Sequence, residues 1–281
     1  MTSFVALGDS FTEGVGDPLP DGTFRGWADL VAADLSSPGF GYANLAVRGR
    51  RFDDVAAEQV EAAVAMSPSL ISVAAGGNDA LRRGFDAAAM HDRFDRVVGR
   101  LRTSGADVVL FRFPDMSVRL PLPRVLRPRI IAMNDLVTEV AERRGTYLVD
   151  LFGDRAFDGH ELWSEDRLHL NPLGHRRVAD HVLATLGRAA APPPADPPRS
   201  RTALLADLRW AATHLTPWLR RRLTGRSSGD GILPKRPVLT GGFEHVRDRA
   251  GEQGDLVTGP GRRTPAGLGP AGHLGEGLPG D

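Results

Sequence analysis

Four short stretches carry the side chains best suited to chemistry. The first is Phe4-Val-Ala-Leu-Gly-Asp-Ser-Phe-Thr-Glu-Gly14, where an apolar run stops at Gly8 and Asp9 and Ser10 follow at once. A serine just past a strand either caps the next helix or stands exposed as a nucleophile. The second is Asn44-Leu-Ala-Val-Arg-Gly-Arg50, where Gly49 either permits a turn or lets a backbone N–H face a ligand with no Cβ in the way. The third is Ala74-Ala-Gly-Gly-Asn-Asp-Ala80. Its Asn78 can bond the local backbone, or its amide can donate to a developing oxyanion. The fourth is Glu165-Asp-Arg-Leu-His-Leu-Asn-Pro-Leu-Gly-His175. If one turn brings Asp166 and His169 together, the carboxylate accepts the proton on one imidazole nitrogen and leaves the other as a base. Asp166, His169 and His175 lack the spacing of a zinc helix motif, so no metal site is expected.

Taken singly, each stretch has an ordinary structural reading. Together they supply a nucleophile, a base with an orienting acid, and oxyanion donors, which is the set that acyl transfer requires. Arg48, Arg50 and Arg51 flank Gly49 and read either as a solvated turn or as a clamp for an anionic part of a substrate. Asp150, at the end of a strand-like run, is a rival acid partner, although nothing in its local sequence ties it to a histidine.

The elements that would position these groups alternate regularly. Strand signals fall at residues 4–7, 41–47, 69–76, 106–113 and 146–151. Helical spacing fills residues 26–36, 52–66, 86–103, 128–145 and 172–187, the last with Pro172 in its first turn and Gly187 at its end. Strands alternating with helices of this length imply right-handed crossovers and a parallel sheet covered on both faces, with ligands at the carboxyl edge of the strands. All four stretches fall at or just beyond such strand ends, or immediately before the last helix.

The chain has 281 residues, net charge +0, 41% hydrophobic and 25% charged residues, and no cysteine, as expected of an ordinary soluble globular protein. Nothing in this balance points to nucleic acid, and the absence of cysteine removes disulfides and thiolate chemistry. The opening residues carry no basic start or long apolar stretch, so a cytoplasmic location is expected. The composition changes at Ala191-Pro-Pro-Pro-Ala-Asp-Pro-Pro-Arg-Ser200. The expected organisation is a catalytic-type domain over 1–188, a proline-rich linker over 189–200, an amphipathic helical segment over 201–224 and a disordered tail over 225–281. The stripe at 201–223, with Trp210 and Trp218, can pack on the domain, lie on a membrane surface or bind a partner. Packing is the favoured reading.

The four stretches, in this order, resemble the blocks of the SGNH (GDSL-type) hydrolase family: Gly8-Asp9-Ser10, Gly49, Gly76-Gly77-Asn78-Asp79, and Asp166-Arg167-Leu168-His169. The resemblance covers residues 1 to about 188. It implies a three-layer α/β/α sandwich with a central, mostly parallel, flavodoxin-like sheet, and esterase-type chemistry without metal or organic cofactor. It assigns Ser10 as nucleophile, His169 as base and Asp166 as its orienting acid. The oxyanion donors would be the Ser10 and Gly49 N–H groups and the Asn78 amide, with Asp9 in a supporting role. The substrate expected is a small-molecule or lipid ester. Lysophospholipase or acyl thioesterase activity, or a catalytically silent binding module of the same fold, are the alternatives.

Overall fold

The computed structural model describes residues 1–193, Thr213 and 228–241. Strands β1 (Ser3–Gly8), β2 (Gly41–Asn44), β3 (Leu70–Ala74), β4 (Asp107–Arg112), β5 (Tyr147–Asp150) and β6 (Arg236–Thr240) form one six-stranded sheet in the order β5-β4-β3-β1-β2-β6. Strands β1 to β5 pair in parallel, and β6 runs antiparallel to β2. Between the strands lie α1 (Ser10–Glu13), α2 (Trp27–Leu35), α3 (Phe52–Glu58), α4 (Val60–Ala65), α5 (Gly77–Ala80), α6 (Ala87–Arg102) and α7 (Pro123–Arg144). Helix α8 (Pro172–Thr185) follows β5.

The period of two along each strand sorts the core into two layers. Phe4 and Ala6 of β1, Tyr42 of β2, and Val109 and Phe111 of β4 face one side, where α2 and α8 bring Trp27, Val31, Val178 and Val182. Val5 and Leu7, Ala43, and Val108 and Leu110 face the other, beneath α3, α4, α6 and α7 with Phe52, Phe94 and Val137. Full burial of each large apolar side chain contributes roughly 1.5–3 kcal/mol, so both faces must be covered for the sheet to hold. This is the expected three-layer α/β/α sandwich.

The sequence of strands along the chain reverses direction at β1, whose neighbours are β2 on one side and β3 on the other. In parallel α/β sheets the crevice for ligands opens at such a switch point, beyond the carboxyl ends of the strands. Ser10 sits two residues past the end of β1, at that crevice.

Several expectations are corrected in detail. The run 52–66 is two helices that meet at Gln59 (φ −112°), whose carboxamide turns inward to the end of β1. The second strand ends at Asn44 rather than residue 47: the Asn44 Oδ1 accepts the Ala46 N–H at 3.1 Å, while the Leu45 and Val47 N–H groups still donate to the Ala6 and Gly8 carbonyls. Helix α7 begins at Pro123, five residues before the expected start at Pro128. The largest correction concerns the tail expected over 225–281. Residues 228–241 are ordered against the domain, and Arg236–Thr240 add an edge strand to its sheet. Pro237 suits that edge, since it offers no N–H for a further strand to pair with. The helix expected over 201–224 lies, apart from Thr213, outside the described residues, as do 194–200 of the linker and 242–281 of the tail.

Candidate active site

Ser10 owes its position to Gly8. Gly8 has φ +151°, and a Cβ there would fall 2.4 Å from the Ala74 carbonyl oxygen and 2.7 Å from the Thr12 hydroxyl. Only glycine lets β1 stay paired with β3 and still turn at once into α1. Gln59 then fixes the turn from behind: its Oε1 accepts the Gly8 N–H at 2.8 Å and its Nε2 donates to the Gly8 carbonyl at 2.9 Å. Phe11 anchors the other side, packed against Trp27, Phe111 and Phe113 with ring centroids 5.5–5.9 Å apart. The Ser10 turn is therefore held by backbone, amide and aromatic contacts together.

Asp166 and His169 come together as the spacing allows. The loop is closed by a bridge between Trp163 and Leu170 and by Ser164 N–H donating to the His169 carbonyl at 2.8 Å. Arg167 takes φ +61° to complete the turn. The result is a 2.5 Å contact between His169 Nδ1 and Asp166 Oδ2. Asp166 Oδ1 meanwhile accepts the backbone N–H groups of Leu168 and His169, each at 3.0 Å. Burial alone would raise the Asp166 carboxyl, but the bonds from the His169 ring and the two backbone donors outweigh it and lower it to about 2. With Nδ1 donating to this carboxylate, Nε2 is the nitrogen left to accept a proton.

Ser10, His169 and Asn78 line one cavity of about 60 Å³, whose apolar wall includes Phe11, Phe113 and Trp163. A larger cavity of about 840 Å³ opens around Thr2, Ser37, Phe40 and Ser67, at the opposite ends of the strands, and its lining holds no titratable side chain. Chemistry, not volume, distinguishes the two.

Asp9 also faces the smaller cavity. Its Oδ1 accepts the Phe11 N–H at 3.1 Å and its Oδ2 accepts the Asn78 amide at 3.0 Å. Burial dominates here and pushes the Asp9 carboxyl up to about 7, against the opposing pull of the Phe11 N–H and the nearby His169. The second Asn78 amide hydrogen goes to the Arg50 carbonyl at 2.9 Å. Asn78 thus ties the Ser10 turn to the loop that carries Gly49, with both of its donors engaged. Gly49 itself (φ +76°) is not among the residues lining the cavity. Among the described residues, the backbone N–H groups of Ser10 and Gly49 donate to no protein acceptor.

The arginines beside Gly49 are each drawn to a carboxylate of this chain. Arg48 binds Glu13 through its guanidinium and, at 2.7 Å, through its backbone N–H. Arg50 reaches Glu58 at 2.9 Å and Arg51 reaches Asp54 at 3.7 Å. These pairings lie within the chain, and neither Arg48 nor Arg50 lines the cavity. Asp150 pairs with Arg112 at 3.0 Å and is no partner of a histidine. His175 is fully buried, with Nδ1 accepting the Trp27 N–H at 3.2 Å and Nε2 3.3 Å from the Val15 carbonyl. Burial lowers its pKa to about 4, so it is a neutral structural link between α8, α2 and the Ser10 turn. Among the described residues no group of three or more acidic, histidine or cysteine side chains is arranged to hold a metal.

The sequence model of the GDSL-like lipase/acylhydrolase family matches residues 6–177. This chain belongs to that family. The Bacillus subtilis (strain 168) protein YpmR is 26% identical over 214 residues, which cover 66% of this chain and 82% of YpmR. Among solved structures, TesA is 26% identical with a TM-score of 0.55 and covers 66% of this chain and 97% of its own. LAE5, an α/β hydrolase enzyme from the metagenome of Lake Arreo, Spain, shares the fold at 24% identity and a TM-score of 0.57, over 68% of this chain and 97% of its own. The hydrolase class therefore holds at the level of the family. Among the described residues no helix is long and apolar enough to cross a membrane.

Proposed function

We propose that this chain is a serine esterase that hydrolyses carboxylic esters through an acyl-enzyme at Ser10. The observation that carries the reading is that His169, held by Asp166 at 2.5 Å, lines the same cavity as Ser10. His169 Nε2 takes the Ser10 Oγ proton as Oγ bonds the ester carbonyl carbon. The carbonyl π electrons move to oxygen, and the oxyanion is met by the N–H groups of Ser10 and Gly49, which donate to no acceptor among the described residues. Asn78 contributes by fixing the Ser10 turn against the Gly49 loop, and it can donate to the oxyanion only by releasing Asp9 or Arg50. Collapse of this intermediate breaks the carbon–oxygen bond to the leaving alcohol, which takes the proton from His169. A water then gives its proton to His169 and attacks the acyl carbon. The acid departs and the proton returns to Ser10. Asp166, ionised throughout the working range, holds the ring and stabilises the imidazolium formed on the way.

The cavity of about 60 Å³ is small and is walled by Phe11, Phe113 and Trp163. That favours a short acyl group. A lysophospholipid or long-chain thioester would have to keep most of its chain outside this volume. Hydrolysis of p-nitrophenyl acetate by the wild type and by Ser10→Ala tests the reading. The expected loss is ~10⁴-fold or more in kcat, and retention of most activity would overturn it.

A further inference from the structure

Lys235 is the one lysine in the chain. It leads into β6, and its ammonium lies among four oxygens. These are the Glu13 carbonyl at 2.5 Å, the Arg25 carbonyl at 2.7 Å, the Phe24 carbonyl at 3.0 Å and Asp29 Oδ2 at 2.5 Å. Its side chain is 15% exposed and that of Asp29 10%. An ammonium has three N–H donors, so four close oxygens surround it as they would a bound cation rather than a surface ion pair.

The acceptors are not scattered. Glu13 closes α1, the single turn that opens with Ser10, while Phe24 and Arg25 lead into α2 and Asp29 lies in its first turn. The Glu13 carboxylate in turn holds the Arg48 backbone N–H at 2.7 Å, one residue before Gly49. Gly229, six residues before Lys235, presses on the same place. A Cβ at Gly229 would lie 2.1 Å from the Arg48 carbonyl oxygen and 3.0 Å from Val47 Cγ1. Pairing of Asn44 with Arg236 and Tyr42 with Thr240 sets the register, and the Asn44 amide donates to the Thr12 carbonyl inside α1 at 2.9 Å. The segment 228–241 therefore meets both the Ser10 turn and the Gly49 loop, yet none of its residues lines the cavity. It also lies beyond residues 6–177, the part matched by the family.

We propose that residues 228–241 brace the reacting site, with Lys235 as a positioning residue that keeps the Ser10 turn and the Gly49 loop in register. The inference rests on the reading of Ser10 as nucleophile. The nucleophile and the proposed backbone oxyanion donor stand on different loops, and a small slip between them would cost turnover more than binding.

The test uses the full-length chain and p-nitrophenyl acetate, below the unfolding midpoint of every variant. Lys235→Ala is expected to lower kcat about tenfold with KM changed by less than about twofold. Ammonium chloride, by refilling the oxygen cluster with a cation of the right donors, should restore part of the loss, and sodium chloride at equal ionic strength should not. Gly229→Ala leaves the ammonium in place, strains the second contact and should lower kcat in the same way. If the wild type is active and both variants match its kcat, or lose activity only as far as they unfold, the brace is overturned and Ser10 stands. Unfolding of both variants at the assay temperature assigns the segment to fold stability and also overturns the brace. A wild type without Ser10-dependent hydrolysis overturns the nucleophile reading and the brace with it.

Discussion

Asp9 lines the small cavity and Asp166 stands behind His169, and the two carboxyls are driven in opposite directions. Asp166 accepts from an imidazole and two backbone N–H groups and is held down to about 2. Asp9 accepts from one backbone N–H and a neutral amide, is only 5% exposed, and is pushed up to about 7. Burial opposes ionisation in both. What separates them is a direct partner able to carry positive charge, which Asp166 has and Asp9 lacks. One carboxylate is suited to steady an imidazolium at any working pH. The other gains charge near neutrality and orients the Asn78 amide.

This contrast can be broken most severely at Asp166. Replacing it with Asn keeps the shape but removes the charge and favours the wrong histidine tautomer, so kcat should fall by ~10²–10⁴-fold at every pH. A loss confined to one side of neutrality would show that Asp166 titrates in the working range. Asp9→Asn should cost much less, about three- to tenfold in kcat at pH 8, since a neutral side chain can still accept from the Asn78 amide. Its signature is in the pH profile: an inflection near 7 in the wild type should shrink in the variant. An unchanged profile would separate Asp9 from the reacting groups.

Stability sharpens the same contrast with the smallest effects. The folded protein holds a proton on Asp9 up to about 7, while the unfolded chain releases it near the ordinary value of 3.8. Between those values the native state binds more protons, so the Asp9 contribution to stability falls as pH rises. Asp166 has the opposite sign: its contribution is present above 3.8 and is lost as pH falls toward about 2. Urea unfolding across this range should show a flatter decline toward pH 7 in Asp9→Asn. In Asp166→Asn the loss of stability into acid should be the one that flattens.

How far the sequence reveals this site depends on how local each contact is. The Asp166–His169 pair spans three residues and one turn, so its spacing announces it. Strands β1 to β5 and helices α2, α6, α7 and α8 follow from apolar periodicity, because each must bury one or both faces of the sheet or pack upon it. Gln59 gives no such sign, since a glutamine within a helical run reads as solvent-facing until its partner Gly8 is brought beside it. The arginines around Gly49 read as a surface turn or an anion clamp, and the bond from Arg48 to Glu13 at the end of α1 gives no local sign in the sequence. The strand at Arg236–Thr240 is hidden most completely. Its flanks are rich in glycine and proline, and the oxygens around Lys235 come from residues more than two hundred positions earlier.

The central claim is that Ser10 is activated by His169, and covalent labelling tests it most directly. An aryl alkylphosphonate reacts only with an activated serine, and peptide mass analysis locates the adduct. The account predicts a single adduct on the peptide containing Ser10, formed ~10²-fold or more slowly in His169→Ala. An adduct on another serine, or an equal labelling rate without His169, would contradict it.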